Sequence, residues 1–295
     1  MDCPRYEMAQ NLSEKNFIQY LKDNRIISNQ KTCSCGKEMS IRPSQRAIDG
    51  VVWRCHKCKN AVSIRTNTFL EKSKLSVYKI FNLIFDFIFE MPVTSSMSAT
   101  NVSKVTAIQW YEYCREICSQ KLLKDKKKLG GPNHVVEIDE GLMFRRKNEA
   151  GRVVHSYWVV GFYDNTQKKG YLQHVGDRKA ETLEALIIDN VEPGSIVFTD
   201  QWASYRKLES LGYIHGTVDL TQNFGDPESG VGGNQVEAYW NRIKRRLKYK
   251  FTSSGDMRWS HVNEAMYREL YNMTYDRAWE NYKTFLKHVA EIYPQ

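Results

Sequence analysis

The stretch VVEIDE, residues 135–140, decides how the rest of the chain is read. It is a short apolar run of strand type with acids set into it. Two more strand-like runs follow. VVHSYWVVGFYD (153–164) is long, β-branched and aromatic, and YLQHV (171–175) comes after a polar turn at 165–170. The three runs predict an antiparallel meander. Next, RKAETLEALIIDNV (178–191) puts Leu183, Leu186 and Ile187 at helical spacing, and SIVFTD (195–200) reads as a buried strand after the Pro193-Gly194 turn. A helix over 202–211 and a strand over 213–218 come next. The glycine-rich GDPESGVGG (225–233) then leads into a long helix over 234–250. The order βββαβαβα predicts an α/β domain.

Upstream the pattern differs. In residues 1–30, Ser13 is a candidate N-cap, with Phe17, Ile18 and Leu21 on one helical face. Residues 31–70 hold paired cysteines among short strand-like runs. Residues 75–125 read as helices, the first over 76–90. The run KDKKKLGGP (124–132) is basic and closed by glycines and a proline, so it reads as a linker. The expected domains are therefore an N-terminal helical segment (1–30), a metal-binding ribbon (31–70), a helical DNA-binding or linker domain (71–130) and the α/β domain with C-terminal helices (131–295).

The chain has 295 residues, 41% hydrophobic, 12% aromatic and 26% charged. That composition suits a folded globular protein rather than a disordered one. No apolar run reaches the ~18 residues of a membrane span, and MDCPRYEMAQ does not read as a secretory signal. Lys+Arg 43 against Asp+Glu 34 gives +9, which suits a polyanionic partner, nucleic acid first and an anionic membrane second. The seven cysteines are odd in number, which speaks against a disulfide framework and for metal binding in a reducing compartment.

Four cysteines fall in two pairs: Cys33-x-Cys35, then Cys55-x-x-Cys58 after nineteen residues. Four thiolates are what a closed tetrahedral Zn²⁺ site needs, and such a site is structural. The C-x-C spacing is short for a zinc knuckle, which leaves Cys33 the least secure ligand and His56 as a substitute. Cys114 and Cys118, at i and i+4, read as core residues. The segment VTSSMSATNVSKVTAIQWYEYCREI (93–117) resembles a helix-turn-helix. In that reading Lys104, Thr106 and Gln109 face a DNA groove, and Val105, Ile108 and Trp110 or Tyr111 pack inward. An ordinary helical hairpin is the alternative.

Three acids stand where phosphodiester chemistry wants them. Asp139 is expected to end the first meander strand, Asp200 ends SIVFTD, and Glu237 lies in the first turn of the long helix. Three carboxylates around one point need a cation, and hard oxygens suit two Mg²⁺ or Mn²⁺ ions clamping a phosphodiester. Each acid has a plainer role open to it. Glu140 competes with Asp139, Asp200 suits an N-cap, and Glu237 suits the helix dipole. Basic residues surround the acids in sequence. Arg145, Arg146 and Lys147 are expected on a turn after Asp139, and Arg242, Lys244, Arg245, Arg246, Lys248 and Lys250 follow Glu237. With Trp202, Tyr205, Tyr239 and Trp240 they form a cationic, aromatic border suited to DNA strands; a solvated helix face is the alternative for 242–250.

These residues resemble the DDE transposases of the ISXO2-like (IS1595) group, most closely their eukaryotic Merlin branch. The resemblance runs through WRCHKCKNAVSIRTNTFLEKSKLS, VVEIDEGLMFRRKNEAGR, YWVVGFYD, IVFTDQWASYRKL and NQVEAYWNRIKRRLK, from about Cys33 to Lys250. It implies a zinc ribbon, a helical part and an RNase H-like catalytic domain. It also implies cut-and-paste transposition, with Asp139, Asp200 and Glu237 as the catalytic acids and Asn234 as the polar residue one turn before the last. The implied cofactors are two Mg²⁺ (or Mn²⁺) ions and one structural Zn²⁺. The implied partners are double-stranded DNA, as terminal inverted repeats and target, and a second copy in a homodimer. The expected location is the nucleus in a eukaryote, otherwise the cytoplasm or nucleoid. The chain departs from the family at Asp219-Leu220, at Gly233 and in the shortened first knuckle. A non-catalytic, domesticated DNA-binding protein is therefore the alternative function.

Overall fold

The computed structural model describes residues 4–12, 17–147, 153–199, 207–217, 235–248 and 257–295. In chain order the elements begin with α1 (Pro4–Asn11) and α2 (Phe17–Asp23), then β1 (Met39–Pro43), β2 (Val51–Cys55) and β3 (Ala61–Ser63). Helices α3 (Val77–Ile88), α4 (Val93–Thr100) and α5 (Lys104–Lys124) follow. Next come β4 (Leu129–Gly130), β5 (Val135–Lys147), β6 (Val153–Asp164) and β7 (Lys169–Val175). After α6 (Ala180–Asn190) stand β8 (Val191–Glu192), β9 (Ile196–Thr199) and β10 (Ile214–Thr217). Helices α7 (Gln235–Leu247), α8 (Met257–Leu270) and α9 (Ala278–Ile292) close the chain. Two compact units result: Met1–Lys121 with Met273–Gln295, and Leu122–Asn272.

In the first unit, β1, β2 and β3 form an antiparallel sheet in which Met39 pairs with Cys55 and Val52 with Ser63. Its small core is Cys33, Met39, Trp53, Cys55 and Ile64. Helix α3 buries residues around most of its circumference, as a helix enclosed by its neighbours must. Ser76 caps it, accepting from the Lys79 N–H. Its two interior polar residues are both partnered. Arg5 donates to Asn82 Oδ1 at 3.1 Å and to Asp86 Oδ1 at 2.6 Å, and the Ser96 hydroxyl donates to Asp86 Oδ2 at 2.7 Å. Burial still pushes the Asp86 carboxyl above its ordinary range. The C-terminal helix belongs here too: Tyr282 stacks edge-on against Phe85, and Phe285 packs on Phe87. The α/β unit thus stops near Asn272, where the sequence reading carries it to 295.

Helices α4 and α5 form the expected pair. Asn101, left-handed at φ 49°, ends α4, and the Ser103 hydroxyl caps α5 by accepting from the Thr106 N–H. The inward face differs from expectation. Val105 is 75% exposed and Ile108 lies at the surface, while Ala107, Trp110, Tyr111 and Cys114 are buried. Cys118 is buried as well. The α5 stripe is thus 107, 110, 111, 114, 117 and 118, a helical period one register away from the expected one.

The second unit is built on a five-stranded sheet in the order β10-β9-β5-β6-β7. The β5–β6–β7 meander is antiparallel, and β9 and β10 run parallel to β5. Counting only sheet strands, the order is 3-2-1-4-5, which is the RNase H-like arrangement. Strand alternation sorts the side chains. Val136, Ile138, Val160, Phe162 and Val197 face a core that holds Leu183, Leu186 and Ile187 of α6. Residues 137, 139 and 141 face the other way, toward α7. Two expectations change here. Strand β5 runs to Lys147, so Asp139 is mid-strand, and Arg145, Arg146 and Lys147 are paired with Ser156, His155 and Val153 of β6 rather than lying on a turn. The cause is the partner: β6, twelve residues rich in β-branched side chains, carries the ladder past the acids. Among the described residues, no helix is long and apolar enough to cross a membrane.

A buried ion pair holds the ribbon together internally, and its arginine also bonds to the segment after it. Arg65 donates through Nε to Asp49 Oδ2 at 2.7 Å and through Nη1 to the Ser73 carbonyl at 3.0 Å, and its Nη2 also reaches Asp49. Both side chains are buried. Arg65→Met strands the Asp49 charge and is expected to cost about 3–5 kcal/mol in urea unfolding, whereas Arg65→Met with Asp49→Leu recovers most of that loss. Equal destabilisation by the single and double variants would contradict this account.

Candidate active site and metal centre

The four paired cysteines converge. Cys33 Sγ lies 3.4 Å from Cys58 Sγ, Cys35 Sγ lies 3.6 Å from Cys55 Sγ, and all four sulfurs fall within 4.8 Å of one another. A tetrahedron with Zn–S of 2.3 Å has S···S edges of about 3.8 Å, so the donor set fits one Zn²⁺. Cys33 takes part fully despite the short C-x-C spacing, because Gly36 at φ +78° folds its backbone back and donates to the Cys33 carbonyl. The second knuckle turns at Lys59, also left-handed. His56 is not in the group. The Cys35 amide, then the Cys58 thiol, hold Cys33 down to about 6. The Cys58 amide chiefly lowers Cys55. Cys35 accepts from the Lys37 amide, yet the adjoining thiols and burial push it up to about 11. Thiols this close hold their protons jointly, and a dication displaces them.

In the second unit, Asp139 sits on β5, half-buried, on the face that α7 covers. Glu140 points to the opposite face, the one shared with Ile138 and α6. Glu237 is the third residue of α7 and is exposed. Strand β9 runs beside β5, with 196–198 against 135–137, and ends at Thr199. Asp200, the next residue, lies outside the described residues, as do Asn234, Lys250, Trp202, Tyr205, Asp219, Leu220 and Gly233.

Helix α7 is amphipathic, burying Val236, Tyr239, Trp240, Ile243 and Leu247. It seats itself on glycines of the sheet. A Cβ on Gly161, the cross-strand neighbour of Asp139, would meet Trp240 Nε1 at 2.7 Å, and one on Gly141 would meet the same ring at 3.0 Å. Gly170 makes the equivalent space for Tyr239, at 2.7 Å. Tyr239 and Trp240 are thus core contacts, not a border to a groove. A further contact escaped the sequence reading. Glu137, buried two residues before Asp139, accepts the backbone N–H groups of Gln235 and Val236 at 2.8 and 2.9 Å. Its signal was present in VVEIDE, since an acid at i−2 shares the Asp139 face.

The basic residues divide. Arg242 and Arg246 pair with Glu269 of α8, at 2.8 and 3.4 Å, and are half-buried. Lys244, Arg245 and Lys248 are exposed. Arg145, Arg146 and Lys147 lie on β5. Lys104 is exposed at the start of α5, while Thr106 and Gln109 line a cavity of about 460 Å³ with Phe69, Trp110, Tyr113 and Tyr293.

Residues 128–269, nearly all of the second unit, match the family described as ISXO2-like transposase domain. An uncharacterized transposase-like protein of Haemophilus influenzae is 30% identical over 80 residues, which is 27% of this chain and 63% of that relative, under two thirds of its length. Among solved structures, the chain is similar to the HTLV-2 integrase catalytic core domain in complex with magnesium, at 17% identity and TM-score 0.33 over 46% of this chain and 86% of that one. It is also similar to the simian T-cell lymphotropic virus intasome in complex with PP2A regulatory subunit B56 gamma, at 14% identity and TM-score 0.33 over 63% and 67%. The strand order carries the fold assignment. The family match and the Haemophilus relative support the ISXO2-like transposase family.

Purified without added metal, the protein is expected to carry about one zinc per chain, and serine at any one of Cys33, Cys35, Cys55 or Cys58 to lose it on dialysis. Elemental analysis checks this. A Cys33→Ser protein that kept its zinc as firmly as wild type would mean three sulfurs suffice.

Proposed function

We propose that this chain is a cut-and-paste DNA transposase of the ISXO2-like group, closest to its Merlin branch, working on DNA as a homodimer, in the nucleus in a eukaryote and otherwise in the cytoplasm or nucleoid. The observation that carries the reading is the family match over 128–269, coinciding with an RNase H-like sheet whose first strand bears Asp139 and is covered by α7, the helix with Glu237 in its first turn. In this reading Asp139, Asp200 and Glu237 hold two Mg²⁺ or Mn²⁺ ions, whose donors are hard carboxylate oxygens. Held by these carboxylates, such ions would supply charge stabilisation for an in-line displacement at phosphorus.

The chemistry is two successive displacements. Water attacks the phosphodiester at the element end; the P–O bond to the 3′ oxygen breaks, and that oxygen leaves as a hydroxyl. This 3′-hydroxyl then attacks a target phosphodiester, losing its proton as the new P–O bond forms and the target 3′ oxygen departs. Both steps occur at phosphorus, so one carboxylate set serves both and no serine or tyrosine nucleophile is assigned. The first unit, with its zinc ribbon, Lys104 and the start of α5, recognises the terminal repeats. Lys244, Arg245 and Lys248, with Arg145, Arg146 and Lys147, hold the strands by their phosphates, which carries no sequence information. Asn234 belongs to the same phosphate-holding set.

Asp139→Asn, Asp200→Asn and Glu237→Gln keep shape and remove charge. Each is expected to lower cleavage and strand transfer by at least about 10³-fold while end binding persists. An Asp139→Asn protein that cut at wild-type rates would sink the mechanism. A wild-type protein that bound ends and never cut under Mn²⁺ would favour the domesticated DNA-binding alternative.

Neutralising Lys244 and Arg245 is expected to weaken binding to all sequences alike. The slope of log K against log salt should flatten by about 0.9 per lost phosphate contact. A change in sequence preference with the salt slope intact would remove this helix from the backbone-binding surface.

A further inference from the structure

Glu137 offers an acceptor where a helix needs one. The first four N–H groups of any helix lack intrahelical partners, and that end carries a partial positive charge. They are usually served by a side chain just before the helix. At α7 the acceptor of the first two comes from another element, 98 residues away in sequence. One oxygen of Glu137 takes the N–H groups of both Gln235 and Val236, at 2.8 and 2.9 Å. The other accepts from Asn165 Nδ2 at 2.7 Å. With 4% exposure and both oxygens committed, Glu137 has no place as a metal ligand. Its position is what matters. It stands two residues before Asp139 on the same sheet face, and it grips the two residues before Glu237.

We propose that Glu137 is a positioning residue of the acid site, fixing the helix that carries Glu237 against the strand that carries Asp139. This rests on the reading of those two acids as metal ligands. A single bond to the helix end permits roll; a second fixed point prevents it. That point is Trp240, one turn beyond Val236, seated against Gly141 and Gly161. Cap and notch together hold α7 in one register on β5 and β6. Asn165 completes the arrangement by orienting the Glu137 carboxylate, and its own Oδ1 is buried with no hydrogen-bond partner among the described residues. A Gln at 137 offers a carbonyl oxygen to the two N–H groups and an N–H toward 165, so the site accepts a reversed pair. Glu137→Gln combined with Asn165→Asp places the charge on 165, keeps a carbonyl oxygen on the two N–H groups and leaves no donor facing a donor.

The test uses the zinc-loaded full chain with Mn²⁺ as the probe. Three quantities are read: Mn²⁺ affinity by electron paramagnetic resonance titration, exchange of the Gln235 and Val236 amides by NMR, and thermal unfolding. Glu137→Ala is expected to deprotect both amides and to weaken Mn²⁺ binding by roughly 10–100-fold, the usual effect of losing a group that orients a ligand. Glu237→Gln should weaken Mn²⁺ binding with both amides still protected. The reversed pair should restore amide protection and most of the Mn²⁺ affinity. If Glu137→Ala does not fold, Glu137→Gln and the reversed pair are compared in its place, and the same rescue is required. Wild-type Mn²⁺ affinity with freely exchanging amides overturns the positioning role and leaves the acid reading standing, provided Glu237→Gln still loses the ion. Protected amides in Glu137→Ala overturn the cap itself. Identical Mn²⁺ binding by wild type and Glu237→Gln overturns the acid reading, and the positioning role with it.

Discussion

The register of α7 on its sheet is the constraint on which the second unit depends. A helix laid over a β-sheet is normally held off by side chains on both surfaces. Here Gly141, Gly161 and Gly170 remove side chains from the sheet where Trp240 and Tyr239 descend, so the helix seats by shape rather than by general apolarity. Interiors packed at crystal-like density do not deform gradually, so a notch of this kind selects one position. The Glu137 cap then fixes the helix end. Asp139, between Glu137 and Gly141 on β5, lies under the part of α7 bounded by these two attachments. The strand thus positions its own acid and the helix that bears another.

The first unit answers a different problem. Its ribbon has five core residues, two of them cysteines, which is little apolar surface for a segment of its length. Two devices supplement that core. Four sulfurs gather at one point, where a bound zinc would stabilise the fold directly. Arg65 and Asp49 join the β1–β2 turn to the ribbon's end, a pair whose worth lies in never leaving one charge buried alone. The helices of the unit have an ordinary apolar core by contrast, and their buried Asp86 is tolerated because Arg5 and Ser96 both bond to it.

What the sequence made legible follows its periodicities. The meander, the strand of 196–199 and the stretch of α7 all read correctly, since period 2 and period 3.6 are local properties. The cysteine pairs were legible because metal spacing is local too. Features set by a distant partner were not. The length of β5 depends on what β6 offers across the ladder. The place of α9 depends on Phe85 and Phe87, some two hundred residues earlier, and no composition shift near 272 marks the change of unit. Arg242 and Arg246 read as DNA contacts because Glu269 stands 27 and 23 residues away. Glu137 read as one more acid of VVEIDE because the amides it serves are almost a hundred residues downstream.

Glu237 illustrates how the plain and the functional readings separate. An acid in the first turn of a helix is favoured by the dipole alone, so its place in QVEAYWNRIKRRL is weak testimony. The basic residues at the other end of α7 are equally favourable there. Glu137 changes the argument. It already satisfies the first two N–H groups and sets a negative charge against the helix end. A second carboxylate at Glu237 then gains less from the dipole and adds like charge beside Glu137. In the proposed site, Glu237 and Asp139 would repel one another unless a cation joined them. Under that proposal the Glu137 cap serves the first N–H groups and leaves the first-turn acid to the ion.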